Sequence, residues 1–109
     1  MLVINALGAP GVGKSTIAAG LFYKMKLVNL KVELVTEYAK DLTWDGRFNT
    51  LSNQPYVFGK QLDRLLKLAG KVDYVVTDSP LFLSAIYSNE SETFNKFVLE
   101  KFNSFNNLN

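Results

Sequence analysis

Short continuous apolar runs alternate with helically spaced apolar stretches along this chain, and that alternation lays out a fold. The run Leu2-Val3-Ile4-Asn5-Ala6-Leu7 reads as a buried strand. A glycine-rich turn follows, and Thr16-Ile17-Ala18-Ala19-Gly20-Leu21-Phe22 leaves it with helical spacing, which predicts a helix over about 14–27. Beyond a loop at Asn29, the run Lys31-Val32-Glu33-Leu34-Val35-Thr36 predicts a second strand. The polar stretch from Asp41 to Gln54, with Gly46, Asn49, Ser52 and Asn53, predicts loop or short helix. Pro55 suits the first turn of a helix whose apolar positions are Val57, Phe58, Leu62, Leu65, Leu66 and Ala69, and Gly70 ends it. Residues 72–77 predict a third strand that closes on Asp78, and Ser79-Pro80 breaks the chain before a short helix around 81–87. Ser91 can cap a last helix carrying Phe94, Phe97, Val98, Lys101, Phe102 and Phe105, an aromatic face expected to pack on the sheet. The Asn-rich residues 103–109 specify no element. No repeat, linker or boundary interrupts the pattern, so residues 1–109 are expected to form a single domain. Strands alternating with helices predict an α/β fold with a parallel sheet and right-handed crossovers.

Ligands of such sheets bind at the carboxyl ends of the strands, and each predicted strand here ends in residues with chemistry. The first runs into Gly8-Ala9-Pro10-Gly11-Val12-Gly13-Lys14-Ser15-Thr16, which fills every fixed position of the phosphate-binding pattern G-x-x-x-x-G-K-[ST] between a strand and a helix. Gly8, Gly11 and Gly13 carry no Cβ, so the backbone can turn tightly and bring successive N–H groups close to phosphate oxygens at a helix N-terminus. Lys14 is then expected to reach the β- and γ-phosphates of ATP, and the Ser15 hydroxyl to ligate Mg²⁺. The bland alternative is a glycine-rich turn with no ligand.

The second strand ends at Glu37, placed to accept a proton from a hydroxyl attacking the γ-phosphate, or else simply solvated. The third ends at Asp78, an apolar strand closing on a carboxylate. That is the Walker B pattern, expected to hold Mg²⁺ or orient the nucleophile, although Asp-Ser-Pro is also good turn chemistry. Lys14, Glu37 and Asp78 form the candidate catalytic set, Gly8 to Thr16 the nucleotide-binding set, and Ser15 with Asp78 the metal set. Just past Glu37, Tyr38 or Trp44 could stack on a planar base and Arg47 could pair with an anion, or Trp44 could anchor a packed loop. Gln61 and Arg64, one turn apart, read as an exposed helical face or as residues turned toward an acceptor.

Composition narrows the classes. The chain has 109 residues, 48% hydrophobic, with neither Cys nor His. It can build one core, and it excludes disulfides, thiolate zinc sites and any catalytic pairing that needs His or Cys. Twelve basic against ten acidic residues give a net charge of +2, too balanced to signal nucleic-acid binding. No apolar run approaches a membrane span, and the chain opens on a strand rather than a leader, so a cytoplasmic setting is expected.

What stands beside the motifs separates kinases from hydrolases. Ser79 follows Asp78 where a motor-type ATPase carries a water-activating Glu, and Leu81 stands where a GTPase needs Gly. A kinase needs neither, because its nucleophile comes with the substrate. Gly8 to Thr16 resembles the G-x-P-G-x-G-K form of nucleoside- and nucleotide-kinase-like P-loop proteins. Val35-Thr-Glu-Tyr-Ala-Lys40 and Val76-Thr-Asp-Ser-Pro-Leu81 are similar to the second- and third-strand signatures of the AAA-type ATPase domain of ribosylnicotinamide kinases, a group frequent in tailed bacteriophages. The resemblance implies a three-layer P-loop NTPase core of kinase-type strand order with the first strand central. It also implies ATP–Mg²⁺ at Lys14 and Ser15, Asp78 near the metal, and a small-molecule acceptor near Glu37. The alternatives are an ATP-binding regulatory or interaction module without turnover, or an ATP hydrolase.

The resemblance further implies a fourth and a fifth strand and a lid with arginines, whereas this chain predicts three strands and has only Arg47 and Arg64. The expectation is therefore a domain incomplete at its C-terminus, with its first strand a bare edge prone to self-association, weak nucleotide binding and little turnover unless intact.

Overall fold

A computed structural model of the chain describes residues 1–8, 13–87 and 89–109. Four strands, β1 (Leu2–Asn5), β2 (Val32–Val35), β3 (Tyr74–Thr77) and β4 (Asn106–Leu108), form one all-parallel sheet in the order β2-β3-β1-β4. Six helices accompany them among the described residues: α1 (Lys14–Leu27), α2 (Tyr38–Trp44), α3 (Phe48–Leu51), α4 (Gln54–Leu66), α5 (Leu83–Tyr87) and α6 (Glu92–Asn103).

Side-chain alternation along the strands divides the core into two clusters on opposite faces of the sheet. Val3, Val35 and Val75 point to one face and meet Phe58 and Leu65 of α4, Leu81, and Val98 of α6. Ile4, Val32 and Val76 point to the other and meet Ala18, Phe22 and Met25 of α1. The aromatic face foreseen on α6 does pack inward. Phe94, Phe102 and Phe105 join the first cluster, the Phe58 ring meets those of Phe94 and Phe97 edge-on at 5.9 Å, and Phe82 meets Phe102 at 5.1 Å. Ser91 caps α6 as expected, its hydroxyl accepting the Phe94 N–H.

The main correction lies at the C-terminus. The chain has a fourth strand, so β1 is an inner strand rather than a bare edge; the edges are β2 and β4. Leu2, Val3 and Ile4 pair in register with Asn106, Asn107 and Leu108. Asn is depleted in strands, so propensity hides this one. Side-chain amides make the pairing. Asn5 Nδ2 donates to Asn107 Oδ1 at 3.1 Å and to Asn109 Oδ1 at 2.9 Å, while Asn107 Nδ2 donates to the carbonyls of Phe102 at 2.8 Å and Phe105 at 3.0 Å. The stretch expected as loop or short helix holds two short helices, α2 and α3, the first starting earlier than foreseen, at Tyr38; Trp44 at its end is 83% exposed, so it anchors nothing.

Candidate functional site

The carboxyl ends of β1, β2 and β3 open into one cleft of about 770 Å³. Gly13, Lys14 and Ser15 line it from the start of α1, Glu37 from the end of β2, and Asp78 with Ser79 from the end of β3. Five predicted site residues thus meet across elements far apart in sequence. Thr16 is exposed on the first turn of α1 and is not among the lining residues. Ala9, Pro10, Gly11 and Val12 lie outside the described residues.

The turn into α1 uses its glycines as the pattern requires. Gly8 has φ 148° and Gly13, the N-cap, has φ 83° and ψ 25°, conformations that side chains with a Cβ rarely adopt. Among the described residues no side chain caps the N-terminus of α1, and no acidic residue stands in its first turn. The positive end of its dipole favours an anion there.

Asp78 is held at a tight turn. The Ser79 N–H donates to Thr77 Oγ1 at 3.1 Å, and Ala6 N–H donates to Thr77 O at 2.8 Å, locking the end of β3 against β1. The Asp78 side chain is only 7% exposed, and its Oδ1 is buried without a hydrogen-bond partner. A buried carboxylate oxygen left unpaired is costly unless a cation or donor meets it. Asp78 and the Ser15 hydroxyl offer oxygen ligands only, a set suited to a hard divalent cation that keeps water and phosphate ligands. Among the described residues no three acidic, His or Cys side chains cluster, so a cation here would be shared with a ligand rather than caged by protein.

Glu37 occupies the N-cap of α2 in an extended conformation, φ −74° and ψ 119°, without capping the helix through its side chain. Its two flanking peptide groups are gripped by α4. The Tyr38 N–H donates to Gln61 Oε1 at 2.8 Å, and Gln61 Nε2 donates to Thr36 O at 3.1 Å. Arg64 adds bonds from Nη1 to Thr36 O at 2.9 Å and Oγ1 at 3.2 Å, and from Nη2 to Asp41 Oδ2 at 2.6 Å. The exposed face expected for Gln61 and Arg64 is therefore corrected: Gln61 is 6% exposed and both are committed to the β2–α2 junction.

Tyr38 and Arg47 do not line the cleft. The Tyr38 ring lies edge-on to Tyr56 at 6.2 Å with the Arg64 guanidinium 5.3 Å over it. Hydrogen bonding between the two phenols raises Tyr38 above the usual phenol range and lowers Tyr56 below it. Gln61 also lines the cleft, and Ala39, Lys40, Gln54, Val57, Leu83 and Ser84 join it without having been singled out by the sequence. Lys40 stands one turn after Glu37 and Gln54 directly after the Asn53 cap of α4, but nothing in the spacing says which way they face.

Comparison with known protein families, with curated proteins and with solved structures returned no match. No helix among the described residues is long and apolar enough to cross a membrane.

Proposed function

We propose that this chain binds ATP with Mg²⁺ at the loop from Gly8 to Ser15 and is a kinase of the nucleoside or nucleotide type, transferring the γ-phosphoryl group to a small hydroxyl-bearing acceptor beside Glu37. The observation that carries this reading is the convergence of Lys14, Ser15, Glu37 and Asp78 on one cleft at the carboxyl ends of three parallel strands. The strand order, with β1 between β3 and β4, is also the one that the kinase-like resemblance implies.

In this reading the N-terminus of α1 and Lys14 hold the phosphates. Ser15 and Asp78 hold Mg²⁺, which supplies charge neutralisation on the phosphate oxygens. Glu37 accepts the proton of the acceptor hydroxyl as that oxygen bonds to the γ-phosphorus and the bond to the bridging β–γ oxygen breaks. ADP leaves with that electron pair.

A second reading, a nucleotide-binding module without turnover, is favoured by one observation: neither Arg47 nor Arg64 lines the cleft. Arginine at the transferring group is worth about 10³-fold or more in rate. Calorimetric titration of ATP–Mg²⁺ into the chain and into Lys14→Ala tests the shared part of both readings; equal heats, or none in either, would remove it. Glu37→Gln then separates the two. A kinase loses transfer from γ-labelled ATP to a nucleoside panel while keeping ATP affinity, whereas a binding module shows no transfer to lose.

A further inference from the structure

Gln61 lies where a sequence pattern alone would put an apolar residue. Val57, Phe58 and Leu65 of the same helix face are buried, and Phe58 and Leu65 belong to the main core cluster. A neutral amide in that stripe needs its polar atoms satisfied, and it satisfies them on the backbone of another element. Both bonds fall on either side of one residue. Thr36 O belongs to the peptide that precedes Glu37 Cα, and Tyr38 N–H to the peptide that follows it. Holding both peptide planes fixes φ and ψ of Glu37, and with them the direction of its Cα–Cβ bond. Arg64 duplicates the grip on Thr36 O but does not reach Tyr38 N–H. Gln61 itself also lines the cleft.

We infer that Gln61 is a positioning residue, a carboxamide staple that brackets the Glu37 backbone and sets the direction in which its carboxylate enters the cleft. The inference rests on the phosphotransfer reading for its catalytic consequence, but the staple itself has a readout independent of turnover. α4 carries the staple on the helix that also fills the core, so the orientation of the base is referenced to packed core side chains.

The test uses Gln61→Met, which keeps length and loses both bonds, and Gln61→Glu, which keeps an acceptor for the Tyr38 N–H and loses the donor to Thr36 O. Amide hydrogen exchange at Tyr38 is measured first, on the chain without ligand. Exchange there should rise about fivefold or more in Gln61→Met, as expected for one lost hydrogen bond, and stay closer to wild type in Gln61→Glu. Single-turnover transfer from γ-labelled ATP to adenosine, guanosine, cytidine, uridine and ribosylnicotinamide is measured next, beside ATP–Mg²⁺ affinity. Misaiming a catalytic group by an ångström costs about 10²-fold. Gln61→Met should therefore lose about 10- to 100-fold in transfer rate, with ATP–Mg²⁺ affinity and acceptor KM within about threefold. Unchanged Tyr38 exchange in Gln61→Met overturns the staple. Raised exchange with an unchanged transfer rate overturns the positioning role alone. A parallel loss of ATP affinity marks Gln61 as merely structural and also overturns it. If the unsubstituted chain binds ATP–Mg²⁺ but transfers to none of these acceptors, the phosphotransfer reading falls and takes the catalytic role with it, while the exchange result still decides the staple.

Discussion

Replacing Asn107 with Ala should loosen the hold of β4 on β1. One amide makes three hydrogen bonds there: it accepts from Asn5 Nδ2 and donates to the carbonyls of Phe102 and Phe105. Each is worth about 0.5–1.5 kcal/mol net. The Phe102 carbonyl lies in the last turn of α6 and that of Phe105 just beyond its C-cap, where water can replace the lost donor, so their share sits at the low end. Asn5 is 5% exposed and keeps its bond to Asn109 Oδ1, which spares the full cost of an orphaned donor. The sum is about 2 kcal/mol, or a melting temperature lower by about 10 °C for a domain of this size. Urea titration of Asn107→Ala, Asn5→Ala and the double variant measures the loss and, through the cycle, a coupling of about 1 kcal/mol between the two amides. Hydrogen exchange at Val3 should rise in the single variants, since the amides of Leu2 and Ala6 donate to the β3 side and the alternation turns the Val3 N–H toward β4. Losses below about 0.5 kcal/mol in both single variants, with no coupling, would refute the claim that this amide cluster, rather than generic strand pairing, holds β4. A second consequence follows from topology. A loosened β4 leaves β1 open to pairing as an edge, and light scattering of Asn107→Ala should show concentration-dependent association absent from the wild type.

Three further outcomes are expected. Lys14→Ala should weaken ATP–Mg²⁺ binding about 10- to 100-fold by calorimetry, the worth of a charge-assisted contact to phosphate, without lowering the melting temperature, because Lys14 makes no ion pair among the described residues. Asp78→Asn should raise the melting temperature of the ligand-free chain by several degrees, since it removes a buried charge whose Oδ1 is unpartnered, while abolishing the Mg²⁺-dependent part of nucleotide binding; a fall in both would contradict the assignment. Tyr56 should ionise before Tyr38 in a spectrophotometric titration, and Tyr38→Phe should return Tyr56 toward the ordinary phenol value by removing its hydrogen-bonding partner. The signs oppose each other in stability. Tyr56's contribution is present above the ordinary phenol value and lost as pH falls through its lowered one, whereas Tyr38's is present below that value and lost as pH rises through its raised one.

The elements legible in the sequence are those whose pattern and packing agree. The α1 span, the three Val-rich strands and the capped α6 follow from apolar runs, helical spacing and Ser91, and the strand ends that carry Glu37 and Asp78 follow from them. What was not legible depends on side chains acting against their propensity. β4 is built from asparagines, which pair because Asn5, buried one sheet position away, gives them amide partners. Gln61 is polar on an apolar face, and only the geometry of the β2–α2 turn shows what it holds. One signal was available: Gln61 stands one turn after Val57 and one before Leu65, so its burial was implied by the helix period, and a buried amide implies a partner.

These polar exceptions differ in kind, and the difference bears on function. Asn5, Asn107 and Gln61 have their hydrogen bonds within the fold, so they stabilise it whether or not a ligand is present. Asp78 does not: its Oδ1 is buried and unmatched beside the start of α1 in the same cleft. An unmatched carboxylate oxygen costs stability that a cation would return, the positive end of a helix dipole favours an anion, and neither a bare cation nor a bare anion meets both needs. A metal–phosphate complex does. The ligand-free chain should therefore gain more melting temperature from Mg²⁺ and ATP together than from the sum of each alone, and strict additivity would mean that the carboxylate and the helix end do not serve one ligand.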